Sequence, residues 1–279
     1  IQPKGSTPPC FFVHPAGGNV LCYYELSRCL GAEIPFWGLQ AAIGDGDAPP
    51  SSIAEMAASY LDAMPKFSDG ATPIFGGWSM GALAAFEMAR LYFQRHGEAP
   101  MVAVLDQIAP DMDGGLTADS QDESEKLFAF AEKVSELVGQ DIGLSQELLT
   151  GKTAMETAGL FLERFKAFEL APGTTQVSDF RGFLDLMLDH NRITGQYVGG
   201  LYPGHVVVFR AQGRMTGAST GSGRVTRQHD LGWQRHTAQP VRIVSVPGNH
   251  VSMMRAPHVQ ELADRLRAVV SNELLAPAP

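Results

Sequence analysis

The chain has 279 residues, 44% hydrophobic and 18% charged, with Gly 30 and Pro 18; this excludes a disordered or fibrous protein and suits one large domain or a domain with an insertion. The formal charge is −9 at pH 7 with no concentrated Lys/Arg stripe, which makes a poor nucleic-acid binder. No apolar run nears the ~20 residues of a membrane span, and no basic-then-apolar leader precedes Cys10, so no membrane partner and a cytoplasmic setting are expected.

In chain order, Cys10-Phe11-Phe12-Val13 reads as a buried strand that stops at the turn His14-Pro15-Ala16-Gly17-Gly18. A helical stretch runs on to Leu30, a short strand lies near Pro35–Leu39, Asp45–Ser52 is a Gly/Pro/Ser loop, and Ile53–Met64 is a helix. Pro73–Gly77 is a strand, Met80–His96 an amphipathic helix closed by Gly97, and Met101–Leu105 a further apolar strand. Strands alternating with helices predict βαβ units and a parallel sheet. Residues 112–200 break the rhythm with four helical patterns and a net charge of −8. One pattern carries Leu127, Phe130, Ala131, Val134, Leu137 and Val138; others carry Phe161, Phe165 and Phe168, or Phe180, Phe183, Leu184 and Met187. The alternation resumes over 205–279, net charge +5, with strand His205–Phe209, a polar loop 211–232, strand Val241–Val246 and a last helix opening at Pro257. The expected architecture is a single α/β domain with a mostly parallel central sheet flanked by helices, core 1–111 and 201–279, and an all-helical insertion 112–200.

The sharpest local signal is Gly77-Trp78-Ser79-Met80-Gly81, after an apolar strand and at the start of a helix. In such a turn, side chains two before or two after the serine clash, and the serine is pushed out above the sheet edge as a nucleophile. A serine needs a base, and the base an orienting carboxylate. Asp106 directly follows the next strand; Asp230 competes from further along, some twenty residues beyond its strand. His250, on the loop after the last strand, is the base candidate, giving the chain order Ser79, Asp106, His250 of α/β-hydrolases. Of the other histidines, His96, His229, His236 and His258 read as surface or helix-end residues, His190 as packed in a helix, and His14 as a support of its turn. An oxyanion hole needs two backbone donors, for which Met80 N–H and Ala16 N–H are the candidates, since Pro15 has none. Cys10, Cys22 and Cys29 form no CxxC or Cys/His metal spacing; they read as buried or half-buried thiols of a reducing compartment, with no metal expected.

These stretches, with CFFVHPAGG (10–18), GGWSMG, VLDQIAP, DLGW (230–233) and VPGNHVSM (246–253), resemble the type I thioesterase domains that end nonribosomal peptide synthetases and some polyketide synthases. The resemblance implies an α/β-hydrolase fold with a helical lid, and an acyl chain presented as a thioester on the 4′-phosphopantetheine arm of an adjacent carrier domain. It implies transfer to Ser79 and release by macrocyclisation or hydrolysis, cyclisation being favoured by the apolar faces of the lid. A start at Ile1 fits an excised terminal domain, expected to be monomeric, with no intrinsic cofactor. Arg214, Arg224, Arg227 and Arg255 are candidates for the arm's phosphate, Arg255 the best placed. A stand-alone editing thioesterase, a lipase-like esterase (though the HGGG loop is absent) and an inert binding protein of the same fold are the alternatives.

Overall fold

A computed structural model of the protein describes residues 1–41, 50–65, 72–110, 123–213 and 229–271. Most of the Asp45–Ser52 loop, the start of the 112–200 segment, the Gly/Ser/Thr run of 211–232 with Arg214, Arg224 and Arg227, and the tail Ala276–Pro279 lie outside the described residues. Among the described residues no helix is long and apolar enough to cross a membrane.

Strands β1 (Cys10–Val13), β2 (Phe36–Leu39), β3 (Ile74–Trp78), β4 (Val102–Leu105), β5 (Val206–Ala211) and β6 (Arg242–Val246) form one sheet. Its order is β2-β1-β3-β4-β5-β6, and every neighbouring pair is parallel. The apolar runs explain this: every residue of β1 and β4 is buried, as strands covered by helices on both faces require. The helices are α1 (Tyr24–Leu30), α2 (Ile53–Ala63), α3 (Met80–His96), α4 (Glu123–Val138), α5 (Gln146–Leu149), α6 (Ala154–Ala167), α7 (Val177–Gln196) and α8 (His258–Val270). Strand residues alternate between two cores. Phe11, Val13, Val102, Val104, Val206 and Val208 pack with α2 and α3. Cys10, Phe12, Ala103, Leu105, Val207 and Phe209 pack with α1 and α8. The apolar stripe of α8 (Val259, Leu262, Leu266, Val269 and Val270) is wholly buried.

Element ends follow local chemistry. Ser52 caps α2 by accepting from Glu55 N–H, and Thr153 and Glu156 form a reciprocal capping box on α6. Gly97, at φ 75, closes α3 in the left-handed conformation. Pro257 stands at the N-cap of α8, one residue before the helix. The helices α4 to α7 have an apolar core of their own, with Leu127, Phe130, Phe161, Phe165, Phe180 and Leu184 at its centre. The exit of α7 is fastened to α3: Tyr197 Oη donates to Glu87 Oε2 at 2.7 Å, and Arg90 Nη1 meets the same oxygen at 2.6 Å.

One histidine is not where the sequence put it. His236 is 2% exposed, and its Nε2 donates to Pro110 O at 3.0 Å. It sits in a 3₁₀ turn, Trp233–His236, where residues three apart lie on one side. Trp233 and His236 therefore both point inward, while Gln234 and Arg235 are exposed.

Candidate active site

Parallel pairing brings the carboxyl ends of β3, β4, β5 and β6 to one edge of the sheet, where α/β proteins place their sites. Trp78 pairs with Leu105, and Leu105 with Phe209. At the end of β3, Ser79 adopts φ 57 and ψ −137, a strained conformation for a residue with a side chain. Close approach on both sides accompanies it. A Cβ on Gly77 would lie 2.2 Å from Gly81 C, and one on Gly81 would lie 2.2 Å from Val13 O.

Asp106 follows β4, also at positive φ (49). Its N–H donates to Phe209 O at 2.9 Å, and its Oδ1 accepts from Ala211 N at 2.9 Å. That anchoring leaves Oδ2 to accept from His250 Nδ1 at 3.0 Å. His250 is 6% exposed and is gripped from Trp78 as well, whose Nε1 donates to His250 O at 3.0 Å and whose ring lies 5.2 Å from the imidazole. Asn249 shapes the loop by accepting from Val251 N and Ser252 N. With its proton on Nδ1, His250 carries a lone pair on Nε2, which is buried and without a hydrogen-bond partner. The imidazole and the Ser79 hydroxyl are therefore not hydrogen-bonded to each other; such contacts commonly tighten only around a substrate. Asp230, the competing acid, instead caps the 3₁₀ turn, accepting from Gly232 N and Gln234 N at 3.1 and 2.9 Å.

The turn after β1 is pinned by groups that its Gly-rich sequence does not advertise. His14 Nδ1 donates to Pro15 O at 2.7 Å, so its Nε2 accepts from Tyr60 Oη at 2.5 Å. Gly18 N also donates to Pro15 O, at 2.9 Å. Among the described residues, neither Ala16 N–H nor Met80 N–H donates to a protein acceptor. Tyr23, fully buried, ties this turn to the elbow: it donates to Val13 O at 2.6 Å and accepts from Trp78 N at 2.8 Å. Arg255 is exposed, and its Nη2 donates to Glu169 O, just after α6, at 3.2 Å. The three cysteines are free, Cys10 buried and the others half-buried.

Burial pushes His14 down to about 4, with the facing His190 ring adding to the effect against the Pro15 carbonyl that favours the proton. His190 is also lowered, by burial, against the Ala16 carbonyl and Asp189. Both are thus neutral at pH 7. Unfolded histidines bind protons near 6.5, so their contribution is complete above that pH and is lost as pH falls. From the His14 value of about 4, acidification should cost roughly 3 kcal/mol of stability between pH 6.5 and 4. Denaturant melts across that range should show the fall, and His14→Asn should flatten it.

A doubly covered parallel sheet with a serine elbow at the carboxyl end of a strand defines an α/β hydrolase. The chain belongs to the thioesterase domain family, whose model matches residues 8–269. It is similar to the chondramide synthase cmdD of Chondromyces crocatus, 25% identical over 272 residues that make up 96% of this chain and 7% of that protein. Similarity to a dimodular nonribosomal peptide synthase of Bacillus subtilis (strain 168) is 33% over 107 residues, 38% of this chain and 4% of that one. The chain thus spans less than a tenth of the length of these curated relatives. Among solved structures, a Vlm2 thioesterase domain with genetically encoded 2,3-diaminopropionic acid, bound with a dodecadepsipeptide, is 25% identical with a TM-score of 0.61, covering 93% of this chain and 95% of that one. The NocB thioesterase domain, 18% identical with a TM-score of 0.63 and 97% coverage of each chain, shares the fold. Family and fold are those that the sequence motifs led one to expect.

Proposed function

We propose that this domain takes a peptidyl or depsipeptidyl chain from the phosphopantetheine arm of a neighbouring carrier domain onto Ser79 and releases it. The observation that carries the reading is the Asp106–His250 hydrogen bond, which leaves a buried, unpartnered Nε2 on a loop fastened to the residue beside Ser79. His250 takes the Ser79 proton as Oγ attacks the thioester carbonyl, and Asp106 holds the imidazole in the donating tautomer and stabilises its cation. The N–H groups of Ala16 and Met80 receive the oxyanion, a donor of this kind being worth about 3–4 kcal/mol. The carbon–sulfur bond breaks, the thiol leaves with the proton, and an acyl–Ser79 ester remains. His250 then deprotonates water, giving a linear acid, or a hydroxyl or amine of the same chain, giving a ring. Ring closure must outcompete water at about 55 M, which a well-held internal nucleophile can do. The helical unit within 112–200 acts as the lid that coils the chain and keeps water away, and Arg255 at its rim exchanges the Glu169 carbonyl for the arm's phosphate.

The test uses a peptidyl N-acetylcysteamine thioester whose chain carries an internal amine or hydroxyl. Intact mass should show an acyl adduct mapping to Ser79, absent from Ser79→Ala, with cyclic product exceeding linear acid. Turnover that persists in Ser79→Ala would overturn the proposal, and linear acid alone would overturn its cyclising half.

A further inference from the structure

The side of α7 that faces the site carries three residues against the turn after β1. A Cβ on Gly17 would lie 2.7 Å from Phe183 Cε2, and one on Gly18 would lie 2.6 Å from Leu186 Cδ2, so the ends of these two side chains rest directly on the glycine backbone. The third residue, His190, is 1% exposed. Its Nδ1 donates to Ala16 O at 2.6 Å, and its ring stacks on His14 at 5.1 Å and 26°.

Peptide planarity gives these bonds their meaning. A trans peptide is rigid, so whatever holds its carbonyl also aims its N–H the opposite way. Ala16 N–H belongs to the same peptide as the Pro15 carbonyl, which His14 Nδ1 and Gly18 N hold. The Ala16 carbonyl belongs to the next peptide, and His190 holds that one. Both planes on either side of the Ala16 Cα are fixed, one from the sheet side and one from the helical unit.

We infer that His190 is a positioning residue for catalysis: its bond to the Ala16 carbonyl fixes the peptide plane that follows Ala16, which limits rotation at the Ala16 Cα and so helps to keep the preceding plane, with its Ala16 N–H, aimed at the developing oxyanion while α7 is seated. The inference rests on the reading of Ala16 as an oxyanion donor. A packing role alone does not account for an imidazole here. Donation through Nδ1 leaves Nε2 a bare acceptor, buried and unpartnered, and such a group costs stability that an apolar ring would not. Withdrawal of α7 removes the donor from Ala16 O and leaves the plane of Ala16 N–H held only by His14 Nδ1 and Gly18 N, so the Ala16 Cα is restrained from both sides only with the helical unit in place.

The experiment compares His190→Phe, His190→Asn and His190→Gln in the full chain, with an N-acetylcysteamine thioester as probe and Ser79→Ala as reference. Asparagine sets its amide N–H where Nδ1 stood, whereas the longer glutamine mimics Nε2 and phenylalanine donates nothing. Complete removal of an oxyanion donor lowers kcat by about 10²–10³; misalignment should cost less. The expected result is a fall in kcat of about thirtyfold for Phe, with KM within about threefold, and recovery of at least half of the lost rate in Asn but not in Gln. Equal rates for Asn and Gln, a loss confined to KM, or a loss that simply follows the melting temperature would overturn the inference. The Asn/Gln pair decides the matter even where Phe fails to fold. Activity persisting in Ser79→Ala would sink the underlying reading instead, so the two failures are told apart.

Discussion

Asp106→Asn should lower thioester turnover by about 10⁴-fold, the scale of tautomer loss in a serine triad, with the folded state nearly unperturbed. The reasons are visible in how the carboxylate is used. Oδ1 accepts from Ala211 N and Oδ2 from His250 Nδ1. An asparagine keeps the first bond through its own Oδ1 and turns its amide toward the imidazole. Two donors cannot face each other, so Nδ1 must become the acceptor and the ring proton moves to Nε2. The lone pair that would receive the Ser79 proton is then gone. Single-turnover kinetics with a thioester, alongside a melting curve, check both halves. Retention of more than a tenth of the rate would show that His250 does not act through this carboxylate.

Gly81→Ala should be among the most damaging single-methyl changes in the chain. Its Cβ would stand 2.2 Å from Val13 O, 2.7 Å from His14 O and 3.0 Å from Val13 C. All three are backbone atoms at the end of a buried strand and cannot rotate away. Relief requires α3 to lift from the end of β1, opening the core beneath it and tilting Met80 N–H. A loss of at least 4 kcal/mol is expected, in the range that marks severe core disruption, or failure to fold. Gly159→Ala supplies the contrast. It too is a helical glycine, in α6, but nothing lies within 4 Å of its added methyl, so helix propensity should make it neutral or stabilising by up to about 1 kcal/mol. Denaturant titration of both variants reads the difference; similar values would mean that the elbow has room the geometry denies.

The fold was legible because most strand residues are apolar, β1 and β4 entirely so, and its helices amphipathic. Where composition, capping and tertiary demand agreed, as at α3 with its serine turn before and Gly97 after, the boundaries coincided. The elbow, Asp106 and His250 were visible because a tight turn, a strand end and a loop after a strand each leave a signature in one dimension. What stayed hidden were the residues that act across the chain. Tyr23 reads as an ordinary core aromatic, yet its hydroxyl replaces the ladder bonds where β1 and β3 part. Nothing near His190 announces a partner 174 positions away. His236 misled because Gln234-Arg235-His236 looks polar throughout, whereas a 3₁₀ turn sorts its residues by threes. The bond from Arg255 to Glu169 O depends on how helices pack, which spacing alone does not encode.

The indole of Trp78 has a further consequence. It grips the main chain of residue 250 while Asp106 grips the ring, so the imidazole owes none of its placement to the serine hydroxyl. The site should keep its shape when that hydroxyl is esterified, deleted or swapped for an amine, a jig whose clamps do not touch the workpiece. A Ser79→Ala variant should therefore hold Asp106 and His250 in the arrangement seen here, which a structure of that variant would check.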